Sequence, residues 1–287
     1  MELTTEYWFM FPVAIMVSTI AMSTGVGGAV FFSPIFILVL GLEPYVAIGT
    51  ALTTQLFGVS SGFVAYARSR LIDYRLGGSL LVYSIPFAIA GTWLSRYVNP
   101  DVLKAIFAVG IIFIGTRLYK SWRKMSSKAS QSSENVDTFR YQLTDNEGNI
   151  YRYNIRTPKF GKFLAALGGG FLGMISVGLS ELQEYHLVVR SKVPLPVAIA
   201  TAIFIASVTV LTASLGHFYK FIVFSSQDTF STVINIIIFS IPGVLIGGQL
   251  GPRLQKKLPA SVMKIAIAII FFIIGTLLLI SLILSHF

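Results

Sequence analysis

Ser23-Thr24-Gly25-Val26-Gly27-Gly28-Ala29 is the stretch whose reading decides the fold of this chain. Three glycines in four positions break a helix, because glycine is about 1 kcal/mol poorer than alanine in a helix interior. The flanks, residues 13–21 and 30–40, are nonetheless as apolar as lipid. Non-helical backbone at membrane depth persists only where protein buries it or where it lines a water-filled cavity. A second break, Ser176-Val177-Gly178-Leu179-Ser180-Glu181, follows half a chain later. Two such interruptions predict two halves of one binding site inside a membrane transporter.

Composition agrees. With 287 residues, 54% hydrophobic and 12% charged, and a mean hydropathy of +0.76, the chain is excluded from the water-soluble domains. Apolar runs of about 18 residues or more point to spanning helices, and they lie at 46–66, 76–94, 102–118, 197–215, 233–250 and 262–284. Residues 1–7 carry Glu2 and Glu6 and no basic residue, unlike a cleavable signal, so the first apolar stretch is expected to stay. The absence of cysteine excludes disulfides, thiolate catalysis and thiolate-bound metal. The net charge of +10 is assigned to cytoplasmic loops facing lipid, with no nucleic-acid partner.

The expected fold is an all-α integral membrane protein of two inverted-topology repeats, residues 1–120 and 161–287, joined by a cytoplasmic segment at 121–160. Each repeat is a broken-helix or re-entrant hairpin plus three spanning helices. The two arms of the first break, about 17 and 12 residues, are short against the roughly 20 that a span needs. Within the joining segment, residues 126–134 read as a flexible linker. Residues 138–143 and 150–155 alternate around Asp145-Asn146-Glu147-Gly148, which predicts a small extramembrane β-hairpin. Basic residues mark the inner side of short loops. With both termini outside, 19 of the 22 Lys and Arg fall inside, leaving Arg96, Lys104 and Lys220 outside. The multi-pass chain is accordingly placed in the plasma membrane, and charge alone does not choose between hairpins and full spans.

The halves also resemble each other. Pro44 to Ala51 aligns with Pro196 to Ala202, Ile85-Pro86 through Gly91 with Ile241-Pro242 through Gly247, Val102-Leu103-Lys104 with Val262-Met263-Lys264, and Ile114-Gly115-Thr116 with Ile274-Gly275-Thr276. An odd number of full crossings per half makes the two copies point in opposite directions. Such repeats place substrate near the bilayer midplane, where half-helix N-termini face it.

Gly25-Val26-Gly27-Gly28-Ala29-Val30-Phe31-Phe32-Ser33-Pro34 resembles the glycine-rich signature of the sulfite exporter TauE/SafE family, and Glu43 to Ala51 and the duplicated layout are similar too. The resemblance covers nearly the whole chain. It implies a secondary transporter of small sulfur-containing anions (sulfite, thiosulfate, sulfoacetate or another organosulfonate) coupled to an ion gradient. The second motif departs from the family in carrying Glu181, Gln183, Glu184 and His186 where glycines and a proline are expected.

An oxyanion in a low-dielectric cavity needs donors and positive potential, and exposed N–H groups at a helix N-terminus supply both. The candidate substrate-binding residues are therefore Gly25, Gly27, Gly28 and Gly178, whose backbone a ligand can approach, with Ser23, Thr24, Ser176 and Ser180 as hydroxyl donors and Gln183 beside them. Small residues also let membrane helices pack closely, which is the competing reading of the glycines. Thr54 and Gln55 lie within two turns of one helix; Gln55 faces either the cavity or a neighbouring helix. Glu181 and Glu184, one turn apart, are the candidates for proton coupling. A carboxylate beside an anion site repels the anion unless it carries a proton, and burial favours the protonated form. The alternative for Glu181 is a cap that holds the break closed. His186 is placed at the membrane boundary, and His217 and His286 at the interface. No cofactor, metal or catalytic group is expected. A passive anion channel remains an alternative. An intramembrane metal-dependent enzyme using Glu181, Glu184 and His186 is disfavoured, because the chain has no H-E-x-x-H.

Overall fold

The computed structural model describes residues 5–95, 97–127, 141–155, 158–224, 227–257 and 260–284. The expected linker, all but its first two residues, therefore lies outside the described residues, as do residues 138–140 of the expected first strand and His286. Among the described residues the chain is helical apart from one small hairpin.

The first half of the chain begins with α1 (Met10–Thr24). Gly25 ends it at φ 77°, with its N–H bonded to the Ala21 carbonyl at 3.0 Å. That left-handed cap costs glycine nothing because it has no Cβ. After the break, α2 (Ala29–Leu38) has 10 residues, well short of a span. Then come α3 (Pro44–Arg68), α4 (Tyr74–Leu94) and α5 (Pro100–Ser127). Pro44 sits in the first turn of α3, where its missing N–H costs nothing. The second half runs through α6 (Pro158–Ile175), a break, α7 (Leu179–Glu184), a π-helical stretch (Tyr185–Arg190), α8 (Leu195–Phe224), α9 (Gln227–Lys257) and α10 (Ala260–Leu284). All six expected spans lie in helices of 21 residues or more. Among the described residues, 74–94, 195–223 and 227–255 are long and apolar enough to cross a membrane.

The halves interleave. The most extensive packing is of α1 on α9 and of α4 on α6, followed by α5 on α10, α3 on α9, α3 on α8 and α4 on α8. Exchanging each helix for its counterpart turns the first pair into the second, and returns α3 with α8 and α5 with α10 to themselves. The packing is thus unchanged by that exchange. The facing residues also give direction. Along α3 and α8, Gly49 faces His217 and Phe221, and the Ser214 hydroxyl donates to the Leu52 carbonyl at 2.9 Å, so the two helices are antiparallel. Along α5 and α10, Lys104 Nζ donates to Ser281 Oγ at 2.6 Å while Gly115 faces Ala268 and Phe271, again antiparallel.

Glycine lets two of these pairs touch backbone to backbone. A Cβ on Gly169 or Gly173 of α6 would strike the carbonyls of Ser84 and Ala88 on α4. On the other side, a Cβ on Gly243, Gly247 or Gly251 of α9 would run into Phe11, Ile15 and Met22 of α1. Close approach through small residues is how membrane helices gain dispersion contact without a hydrophobic driving force between them.

The hairpin consists of β1 (Tyr141–Thr144) and β2 (Ile150–Tyr153), antiparallel, with Tyr141 opposite Tyr153. Asp145 organises the turn: its carboxylate accepts from Glu147 N–H and Asn149 N–H at 2.9 and 2.8 Å, and from the Asn149 amide at 2.9 Å. Those bonds, the Asn149 side chain first, hold its carboxyl below the usual range. The hairpin is tied to the α3–α4 loop. The Tyr153 hydroxyl donates to Asp73 at 2.8 Å, Asn146 N–H donates to the Ser69 carbonyl at 3.2 Å, and Asp73 caps α4 through Leu76 N–H at 2.9 Å.

Candidate functional site

The two breaks meet. Gly178 takes φ 112°, a conformation closed to most side chains, and turns the chain into α7. At the third position of that helix Glu181 reaches back, and its Oε2 accepts the Gly178 N–H at 3.0 Å. This is the carboxylate half of a capping box. Its other oxygen, Oε1, accepts from Gly27 N–H at 3.3 Å, across 154 residues of sequence. One carboxylate, 7% exposed, is thus bonded to backbone donors of both interruptions. Glu181 has the capping contact that sequence reasoning set against a proton-carrying role, and that contact extends to the other half of the molecule.

Gln55, on α3, is 1% exposed, and its Oε1 accepts from Ala29 N–H at 2.8 Å in the first turn of α2. That bond assigns the amide: the free end is Nε2, a donor without a hydrogen-bond partner. Nε2 is 3.0 Å and Ser180 Oγ 3.6 Å from where a Cβ on Gly27 would stand. Thr54, fully buried beside it, also has an unpartnered hydroxyl. Gly28 begins α2, and Gly25 packs against Ile199 of α8.

The remaining candidates fall into place unevenly. Ser23 and Thr24 donate to the Ile20 carbonyl at 2.8 and 2.9 Å and so serve the end of α1. Ser176 lies 2.7 Å from Ser33 Oγ, a second link between the breaks. Ser33 was not picked from the sequence; the only signal was a hydroxyl amid the apolar residues of α2, just before Pro34. Gln183 is buried with neither amide atom hydrogen-bonded, one turn beyond Ser180. A cavity of about 750 Å³ between α5, α6 and α7 reaches Gly178, Glu181 and Glu184. Its walls are apolar apart from these groups, Tyr185, Arg117 and Arg190. Arg117 stacks on Phe113 and Tyr185, and Arg190 on Phe160.

His217, expected at the membrane interface, and Lys220, expected on the outer side, are both buried within the protein. His217 is 0% exposed, with Nε2 3.0 Å from the Gly173 carbonyl, and Lys220 is 1% exposed, donating to the Thr92 carbonyl at 2.5 Å over the Trp93 ring. Both lie where α8 extends past the expected end of its span, and α3 and α4 cover that extension. His186 is likewise buried, against Gly161 and Phe160 of α6. Among the described residues no three His, Asp or Glu side chains gather in a way that would hold a metal ion.

Known proteins of two kinds are similar to this chain. Over 269 residues it is 25% identical to a probable membrane transporter protein, YunE, of Bacillus subtilis (strain 168), covering 91% of this chain and 93% of that one. A second protein of the same organism, the probable membrane transporter protein YjnA, is 26% identical over 245 residues, 82% of this chain and 86% of its own length. No solved structure matches the chain. The family model described as sulfite exporter TauE/SafE matches residues 10–278. That span holds both breaks and nearly all the described helices, and the chain is therefore a membrane protein belonging to the TauE/SafE sulfite exporter family.

Proposed function

We propose that this chain is a proton-coupled secondary transporter of small sulfur-containing anions, among them sulfite, thiosulfate, sulfoacetate and related organosulfonates, and not an enzyme. The observation that carries the reading is the bonding of one carboxylate to Gly27 N–H and Gly178 N–H. Donors from two broken helices, one in each half, converge on a single negative group in a buried, glycine-lined space. Helix N-termini with exposed N–H groups are anion sites in any solvent, and more so at membrane depth, where water competes less. Family membership and the transporter relatives support the same reading.

In this proposal residues 1–120 and 161–287 are inverted-topology repeats, and the antiparallel pairing of α3 with α8 and α5 with α10 supports it, since helices exchanged by a two-fold axis in the membrane plane run oppositely. Gly25, Gly27, Gly28, Gly178, Ser180, Gln183, Thr54 and Gln55 line the substrate space, Ser23, Thr24 and Ser176 shape its edges, and Glu181 with Glu184 handles the proton. Purified protein in liposomes tests the function. A carrier takes up labelled sulfite or sulfoacetate saturably, and against its gradient when a pH difference is imposed. Uptake that stays linear in concentration and only ever runs downhill assigns a channel instead.

The same proposal puts the chain in the plasma membrane with both termini outside and the 121–160 segment in the cytoplasm. Because the chain has no native cysteine, Glu147→Cys in the hairpin turn is a clean reporter. It is expected to react with a membrane-impermeant maleimide in inside-out vesicles and not in intact cells; the reverse pattern inverts the assignment.

A further inference from the structure

The hydrogen bonds at the two breaks have the form of an occupied anion site whose occupant belongs to the chain. Glu181 gives one oxygen to Gly27 N–H and the other to Gly178 N–H, at 3.3 and 3.0 Å. A third donor, Gln55 Nε2, faces the open side of Gly27, buried and without a hydrogen-bond partner. Its identity as a donor follows from the bond that Ala29 N–H makes to the other end of the amide. Two donors thus hold the two oxygens of the carboxylate, and a third stands unpartnered beside Gly27. A sulfonate head carries the same single charge and a third oxygen.

We propose that Glu181 is a built-in stand-in for the transported anion: a sulfonate-type monoanion displaces it, taking over the N–H groups of Gly27 and Gly178 and placing its third oxygen on Gln55 Nε2, while Glu181 takes up one proton from solution as it leaves. The proposal rests on the transport reading above and deepens it. Binding is then an exchange. The site holds one negative charge before the event, on Glu181, and one after it, on the ligand, with the proton resident on the displaced carboxyl. A dianion would leave the same buried space with an additional uncompensated charge, which low dielectric penalises heavily. Within the proposed class the arrangement therefore selects monoanions, a monosulfonate or sulfite as hydrogensulfite, over dianions such as sulfate and thiosulfate, and three-oxygen heads over carboxylates.

The surroundings of Glu181 are consistent with a proton arriving from the cavity. The titratable and charged groups around it are Glu184 on its own helix, Tyr185 and Arg190 at the two ends of the π-helical stretch, and Arg117 from α5. From α6 the cavity wall is apolar (Phe160, Leu164, Leu167, Phe171 and Ile175), and the break before α2 and the side chain from α3 bring only Gly27 and Gln55. On the opposite side, α8 brings Ile199 to the first break. His186 turns away toward Gly161.

Calorimetric titration of the full-length purified protein with methanesulfonate, sulfate and acetate, at several pH values and in buffers of different ionisation enthalpy, tests this directly. For the wild type, methanesulfonate affinity is expected to fall about tenfold per pH unit while Glu181 is ionised in the free protein, with one proton taken up per anion bound. Sulfate and acetate are expected to bind at least about tenfold more weakly. In Glu181→Gln the pH slope and the proton uptake vanish, and affinity at high pH exceeds that of the wild type. In Gln55→Leu the preference for methanesulfonate over acetate is lost. Wild-type binding without proton uptake overturns the proposal, whatever the variants do; so does an unchanged pH slope in Glu181→Gln, or equal affinity for sulfate. If neither these probes nor sulfite and thiosulfate bind at any pH, the transport reading falls and the stand-in role falls with it.

Discussion

Gly27→Val is expected to reduce anion uptake in liposomes by about a hundredfold while leaving the protein folded. Gly27 carries no positive φ, so its backbone accepts a side chain. What a side chain meets is the donor space: a Cβ there would stand 3.0 Å from Gln55 Nε2 and 3.6 Å from Ser180 Oγ. The γ-methyls of valine extend further into the same gap. An anion then loses the Gln55 amide and close approach to the N-terminus of α2. Two lost hydrogen bonds to a charged group, at roughly 1.5 kcal/mol each, amount to about a hundredfold in affinity. Gly78→Ala is the control, since nothing lies within 4 Å of a Cβ at that position of α4. The measurement is initial uptake rate, normalised to protein recovered as a monodisperse peak. Uptake by Gly27→Val at the level of Gly78→Ala would remove the first break from the transport pathway.

A large and matched loss of stability is expected at Gly91 and Gly247. Gly91 on α4 lies against the carbonyl of Gly170 and the Met174 N–H group of α6, and Gly247 on α9 against the Ile15 carbonyl and Ser18 of α1. These obstacles are backbone for the most part, so the helices must separate rather than a side chain rotate. Gly91→Val and Gly247→Val are each expected to cost about 3 kcal/mol or more, the upper end of overpacking penalties. The two should match within about 1 kcal/mol, because they occupy corresponding places in the two repeats and each opens an equivalent crossing. Thermal unfolding of the purified variants in detergent measures both, and Gly78→Ala should be neutral or slightly stabilising, as alanine is in an open helix position. A severe loss at one site with none at the other would break the equivalence of the α4–α6 and α1–α9 crossings.

Much of the architecture was legible in the chain. Three glycines in four positions marked the first break, and Gly178 between Ser176 and Ser180 marked the second, because helix propensity is a property of the residues themselves. Asp145 to Gly148 marked the hairpin turn. The strands came out as Tyr141–Thr144 and Ile150–Tyr153, the first running one residue past the stretch expected and the second within it. The burial of His217 and Lys220 was not legible. Polar residues near the end of an apolar run look interfacial unless the neighbouring helices are known to extend past them, and here α3 and α4 do so.

The site divides along the same line. Residue types named Glu181, Gln55 and the glycines as candidates, since an intramembrane carboxylate or amide needs a partner and a glycine gives a ligand access to backbone. Residue types did not say which partner. That Glu181 would cap its own helix follows from its place three residues after Gly178, a local relation the sequence does contain. That its second oxygen would reach Gly27, and that Gln55 would hold Ala29 N–H, depends on contacts across 154 and 26 residues. Hydropathy, propensity and charge placement act over a turn or two of chain, and by themselves they determined a membrane protein with two softened points. Which donors converge on which oxygens was decided only when glycine allowed α1 onto α9 and α4 onto α6 at backbone distance, bringing the two breaks within one hydrogen bond of each other.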